Sequence, residues 1–127
     1  MRKSKAVKML VLALALVMVF SVTASAATSI RWAQNGYTAR GSVGVKSAHT
    51  EYDTVGSNIY AEITYVYYVN YTSGNQYRVV GQTNNSGSSA TAYTSERPEH
   101  SGKTIIHINS YGSHSVNYGS TYSTSYY

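Results

Sequence analysis

Apolar and polar residues alternate along much of the chain beyond residue 27, at the two-residue period of β-strands. The clearest run begins at Ile59, and its odd positions hold the apolar set Ile59, Ala61, Ile63, Tyr65, Tyr67, Val69 and Tyr71. Because successive side chains of a strand point to opposite faces, these positions are predicted to face a core. Tyr60, Glu62, Thr64, Val66, Tyr68 and Asn70 then form the wetter face.

This strand is predicted to form a hairpin with the segment around Val79. A loop of three to five residues around Ser73–Asn75 would pair Tyr71 with Tyr77 and Val69 with Val79. That pairing keeps the two apolar sets on one face, whereas a two-residue turn would mix the faces.

Shorter signals predict the remaining strands and turns. Ile30 and Trp32 alternate toward Asn35-Gly36, a dipeptide typical of tight hairpin turns, and Val43 and Val45 alternate next. The polar segment 49–58 is predicted to be a loop or weak edge strand, and 83–89 a flexible connection. Strands at 90–94 and 105–108 flank a charged surface loop, 95–103, that contains the only proline.

The C-terminal end also alternates. His114, Val116, Tyr118, Tyr122 and Tyr126 share even parity and predict a packed face, so the last strand should be integral to the sheet. Six or seven strands at these spacings predict an all-β fold, either a small antiparallel β-sandwich or an open barrel.

The first 26 residues have the pattern of a cleaved signal peptide. Basic residues at positions 2, 3, 5 and 8 precede an apolar run from Met9 to Phe20, and Ala24 and Ala26 offer a small-residue cleavage site. A membrane anchor is the alternative, but this run is shorter than the roughly 20 residues that span a bilayer. We therefore expect a secreted, extracellular protein with a single all-β domain over 27–127 and no membrane span in its mature form.

Removal of this segment changes what the composition means. Four of the ten basic residues lie within it and all five acidic residues lie beyond it, so the mature chain carries a net charge of only +1. Such a charge gives no reason to expect nucleic acid as a partner. The chain has no cysteine, which excludes disulfides, thiol nucleophiles and thiolate metal sites.

Two charged segments are candidates for chemistry. His49, Glu51 and Asp53 alternate, so an extended chain would place them on one side, where they could hold a divalent cation or supply acid and base. Glu96, Glu99 and His100 have residue types that act on glycosidic bonds. Solvated surface positions explain both sets more simply, and no G-x-S-x-G motif occurs. The prediction is a protein without catalytic residues, metal or cofactor.

Tyrosine is the one excess that composition leaves unexplained, with 14 residues. A tyrosine can pack a thin core with its ring while its hydroxyl reaches water or a partner. Four tyrosines, however, fall on predicted outer positions: Tyr60, Tyr68, Tyr93 and Tyr127. Because tyrosine is enriched at binding surfaces, these four are the candidate binding residues.

Three stretches of the chain, "RWAQNGY" (31–37), "VKSAHTEYDTVGS" (45–57) and the terminal "STSYY", together resemble the lactococcin-type secreted bacteriocins. This resemblance implies a cysteine-free exported β-sandwich protein from Gram-positive bacteria, made with a cleaved leader and directed at the cell envelope of related bacteria. The family offers no catalytic residues to transfer. The expected function is therefore a bacteriocin-like antimicrobial that binds the envelope of competing bacteria without catalysis. The alternative is a structural or adhesive envelope protein that binds glycan, or self-associates, through exposed tyrosines.

Overall fold

Six antiparallel strands form one sheet in the computed structural model, which describes residues 28–69 and 75–127. The strands are β1 (Ser29–Gln34), β2 (Tyr37–Val43), β3 (Ser47–Val69), β4 (Gln76–Tyr93), β5 (Ile105–Val116) and β6 (Tyr122–Tyr126). A short 3₁₀ turn, Pro98–His100, lies in the loop between β4 and β5. The all-β prediction is confirmed. The predicted signal peptide, 1–26, lies outside the described residues.

The sheet curls until it is nearly closed as a barrel. Its order is β1-β2-β3-β5-β6, and β4 runs along the opposite edge of β3. The two ends of this order meet at the Trp32 and Tyr122 rings, which stack with their centroids 4.6 Å apart. Of the two predicted architectures, the open barrel is therefore the observed one.

The turn between β1 and β2 consists of Asn35 and Gly36, as predicted. Their φ angles are +49° and +83°, the left-handed conformations that a tight hairpin turn requires at both central positions. Asparagine and glycine tolerate these angles better than other residues, so this dipeptide directs the turn locally.

The predicted pairing of β3 with β4 is wrong by four residues. Tyr77 pairs with Tyr67, and Val79 pairs with Tyr65. The shift is even, so the apolar sets stay on one face. The predicted loop around Ser73–Asn75 lies largely outside the described residues. Tyr71, the predicted partner of Tyr77, lies outside the described residues.

Two polar segments, 49–58, predicted to be a loop or weak edge strand, and 83–89, predicted to be a flexible connection, lie within long strands. Residues 49–58 belong to β3, where 48–51 have β2 on one side and β4 on the other, so this part is not an edge. Residues 83–89 belong to β4. The two strands pair along their length across register shifts near Gly56, which lies opposite Gly87. Each strand supplies hydrogen-bond partners to the backbone of the other. The extended conformation of these two polar segments therefore does not depend on apolar side chains.

The barrel interior holds the odd positions of β3, as predicted. Ile59, Ile63, Tyr67 and Val69 are completely buried, and Tyr65 nearly so. One apolar cluster includes Trp32, Ile59 and Ile63, and a second is built on Tyr65, Tyr67 and Val69.

The predicted packed face at the C-terminus is only partly correct. β6 pairs with β5, so the last strand is integral to the sheet, and His114 and Val116 are completely buried. Tyr118 is 79% exposed because it lies in the turn after β5, and Tyr126 is 37% exposed. Within β6 the buried even position is Thr124.

Candidate functional site

Tyr60 and Tyr68 lie on the outer face of the sheet, as their parity in β3 predicts. Both are half-buried, and both belong to the even positions of β3. Eight residues of extended chain separate them, a distance of about 26 Å. Two of the four candidate tyrosines therefore share one surface.

A third tyrosine, Tyr111, lies on this surface between them. It pairs with Thr64 across the β3–β5 ladder and is 43% exposed. On the other side of Thr64 lies Val80 of β4, also exposed. We call this outer surface the tyrosine face and define it by Tyr60, Thr64, Tyr68, Val80 and Tyr111.

The sequence interpretation missed Tyr111 because the parity of β5 changes within the strand. Odd positions face inward at its beginning, where Ile105 pairs with Val69, and even positions face inward from Ser110 onward. A register shift between these two parts causes the change. Parity counted back from His114 would have placed Tyr111 on the outer face.

Tyr60 is held in place by its hydroxyl group. This group donates a hydrogen bond of 3.1 Å to the side-chain oxygen of Gln82, from the neighbouring strand β4. Burial of the ring, and secondarily the carboxylate of Glu62, raise the pKa of Tyr60. The phenol is therefore neutral at physiological pH, and its ring is held near the sheet surface.

The other two candidate tyrosines do not belong to the tyrosine face. Tyr93 pairs with Ser47 in the part of β3 that contacts β2, and it is 72% exposed. Tyr127 follows the last residue of β6 and is 65% exposed. The structure thus brings together Tyr60 and Tyr68 but not Tyr93 or Tyr127.

Several of the remaining tyrosines build the core. Tyr65 and Tyr67 stack with centroids 5.0 Å apart, and Tyr77 of β4 stacks on Tyr67 at 5.7 Å. Aromatic rings bury large apolar areas, and these three replace the leucine and phenylalanine that residues 27–127 lack. The tyrosine excess therefore has two causes: rings that fill the barrel and rings that cover its outer face.

The hydroxyl groups of the core tyrosines hold the loop between β4 and β5. Tyr65 donates a 2.5 Å hydrogen bond to Glu96, and the same carboxylate forms an ion pair with Lys46 at 2.9 Å. Burial raises the pKa of Glu96, but the bonds from Tyr65 and Lys46 outweigh it and leave this pKa below its ordinary value. Glu96 is therefore an ionised structural group.

His100 is structural as well, although the sequence predicted an exposed charged loop. It is 7% exposed, and its Nδ1 atom lies 2.7 Å from the hydroxyl oxygen of Tyr67. Its ring also meets that of Tyr77 edge-on. Of the predicted acid–base set only Glu99 is exposed, whereas Glu96 and His100 bind other partners. These three residues therefore do not assemble into a catalytic arrangement.

The candidate cation ligands His49, Glu51 and Asp53 lie on the outer surface of β3, and Arg40 of β2 occupies their centre. Its guanidinium binds Asp53 with both nitrogens, at 2.7 and 3.3 Å, and lies 3.9 Å from Glu51. The hydrogen bond from Arg40 lowers the pKa of Asp53. Since an arginine already neutralises these carboxylates, the set serves as a surface ion-pair network.

Within residues 28–69 and 75–127, no group of three or more histidine, aspartate or glutamate residues lies close enough together to hold a metal ion. No helix there is long and apolar enough to cross a membrane.

Comparison with known proteins yields no match. No family model, no curated protein and no solved structure is significantly similar to the chain.

Proposed function

We propose that the protein is an exported, bacteriocin-like antimicrobial that binds the envelope of competing bacteria through the tyrosine face and without catalysis. The observation that carries this proposal is the row formed by Tyr60, Tyr111 and Tyr68 on one outer surface. The resemblance to lactococcin-type bacteriocins supports the antimicrobial part. Inhibition of bacterial growth by the protein is the activity to measure.

The chemistry of this surface suits a polymer that contains sugar rings. A tyrosine ring offers a flat apolar surface, and its hydroxyl offers a hydrogen bond at the edge. Three rings spread over about 26 Å of one sheet would contact several sugar units at once. Individually weak contacts then add up to useful affinity.

Export is part of this proposal, and it has a direct measurement. We expect the mature protein to begin at Ala27 and to appear in the culture supernatant, because the basic, apolar and small-residue parts of a signal peptide precede that residue. Intact-mass spectrometry of the supernatant checks this. A secreted species that retains Met9 to Phe20 would contradict both the cleavage site and the net charge of +1.

Replacing Tyr60 and Tyr68 with serine should weaken binding to purified bacterial walls tenfold or more. Each ring contributes on the order of 1 kcal/mol to a stacked contact, and two such losses exceed a factor of ten. Growth inhibition should fall in parallel. The fold should lose no more than about 2 kcal/mol, because both rings are half-buried and the Tyr60 hydroxyl forms one hydrogen bond, to Gln82.

The matched control replaces Tyr93 and Tyr118, two exposed tyrosines away from the tyrosine face, with serine. This variant should bind walls like the parent protein. Wall pull-down, growth inhibition and melting temperature are measured for all three proteins. Equal losses in the two variants, or full binding by the Tyr60/Tyr68 variant, would contradict the assignment of the tyrosine face.

A second function, adhesion with self-association, is favoured by the edge of β4. In the described part of the chain, this 18-residue strand pairs only with β3. Arg78 is its one charged residue and it contains no proline, so few of the residues that protect strand edges from pairing with another chain are present. Wall binding by concentration-dependent oligomers, without growth inhibition, would identify this second function.

A further inference from the structure

A cleft of about 370 Å³ opens beside the Tyr68 end of the tyrosine face. Val66, Gln76, Tyr77, Arg78 and Arg97 line it. Arg78 pairs with Val66 across the β3–β4 ladder, and Gln76 pairs with Tyr68. The cleft is therefore continuous with the surface to which we assign envelope binding, although the proposed function does not use it.

One backbone contact and one side-chain contact position Arg97 at this cleft. The backbone N–H of Arg97 donates a 3.0 Å hydrogen bond to the buried hydroxyl of Tyr67. Its guanidinium lies over the ring of Tyr77, 5.2 Å from the centroid. Such a cation–π contact orients the group while leaving its edge free to donate hydrogen bonds.

No carboxylate neutralises the two arginines. All five acidic side chains of the protein lie in the described residues, and none lines the cleft. Their ion pairs are with Arg40, Lys46 and His49. Glu96, which precedes Arg97 in sequence, is directed instead toward Tyr65 and Lys46. Two arginines, Arg78 and Arg97, thus line one cleft together with Gln76.

This donor set matches a phosphate group better than a carboxylate. One arginine fork satisfies both oxygens of a carboxylate, whereas two forks and an amide offer donors for a group with more acceptor oxygens. We propose that the cleft binds a phosphate group, supplied by a phosphodiester-linked polymer of the bacterial envelope whose neighbouring sugar contacts Tyr68. That an envelope polymer supplies the phosphate rests on the proposed function. The phosphate site itself does not.

The site is tested first with inorganic phosphate alone. In NMR titrations at constant ionic strength, the side-chain Nε–H signals of Arg78 and Arg97 should shift together and saturate. Arg31 is the internal control because it also forms no ion pair within the described residues and lies outside this cleft. Equal shifts at all three arginines, or none at Arg78 and Arg97, would overturn the site.

Single variants Arg78→Gln and Arg97→Gln should each weaken phosphate binding about tenfold, the usual effect of one charge-assisted hydrogen-bonded contact. Arg31→Gln, which removes the same charge elsewhere, should leave it unchanged. Melting temperatures establish that the variants are folded. Unchanged phosphate affinity in the folded double variant would overturn the proposal.

The source of the phosphate is tested with walls. We compare intact Gram-positive walls with walls treated with hydrofluoric acid, which cleaves phosphodiesters. The double variant should bind intact walls at least tenfold more weakly than the parent, and acid treatment should remove this difference. If binding depends on Tyr60 and Tyr68 but not on the arginines or the treatment, the polymer proposal is wrong and the proposed function stands. If phosphate binds in the cleft but walls do not bind at all, the proposed function fails and the phosphate site stands.

Discussion

Replacing Gly81 with alanine should lower the free energy of unfolding by about 3 kcal/mol. Gly81 lies in β4 opposite the buried Ile63 and on the same face of the sheet. A Cβ atom at this position would overlap the carbonyl oxygen of Tyr93 and lie 2.9 Å from its carbonyl carbon. Both are backbone atoms at the far end of the same strand. The added methyl group therefore fits only if the two halves of β4 move apart.

Urea unfolding of Gly81→Ala and of a matched control measures this effect. In Gly44→Ala the new Cβ would meet only the hydroxyl of Ser47, at 3.3 Å, which can rotate away. The control should change stability by less than about 1 kcal/mol. A similarly small loss in Gly81→Ala would contradict the close approach of the two halves of β4.

Local signals in the sequence predicted the parts of the fold that depend on local physics. Asn35-Gly36 forms its turn because the required backbone angles are available to those two residues. The odd positions of β3 are buried because parity determines the face of a strand, whatever its partner. An error of four residues in the β3–β4 register preserved the face of every side chain for the same reason.

Tertiary contacts determined the parts that the sequence interpretation got wrong. Residues 83–89 lack apolar alternation, yet they are extended because β3 pairs with them. His100 is buried because Tyr67 reaches the loop from inside the barrel. No local sequence pattern indicates such long-range contacts. The cleft lined by Arg78 and Arg97 was missed for the same reason. The two residues are 19 positions apart and line one cleft only in the folded chain.

His114, which the C-terminal alternation placed correctly on a packed face, makes the stability of the fold depend on pH. It is completely buried, with Nδ1 2.9 Å from the hydroxyl oxygen of Thr50 and Nε2 2.9 Å from that of Thr124. Thr50 donates its own proton to the carbonyl of Tyr60. The Nδ1–H group must therefore donate to Thr50, and Nε2 accepts from Thr124. In this arrangement both nitrogens of the neutral ring have a hydrogen-bond partner.

The surroundings of His114 disfavour a positive charge on its ring. Gly41 packs against the ring so closely that a Cβ there would lie 2.5 Å from it. No carboxylate contacts the ring, and His49 is the nearby titratable group that affects it. Burial, with a smaller contribution from His49, lowers the pKa of His114 to about 4.

We expect acid to destabilise the fold by about 3 kcal/mol between pH 6.5 and pH 4 because of this one histidine. The unfolded chain binds a proton at His114 below about pH 6.5, whereas the folded chain resists it until about pH 4. The stabilisation is therefore complete above pH 6.5 and falls with pH through this window. Asp53 and Glu96, whose pKa values are lowered from 3.8 and 4.5, contribute mainly at lower pH.

Urea unfolding at several pH values, for the parent and for His114→Leu, measures this contribution. The leucine variant should be less stable at pH 7, because Thr124 loses its acceptor. It should nevertheless lose about 3 kcal/mol less than the parent on acidification, since the buried site of protonation is gone. His107→Gln, which changes a half-buried histidine elsewhere in β5, should keep the pH dependence of the parent. If His114→Leu keeps it too, the acid sensitivity arises elsewhere and the neutral histidine is not its cause.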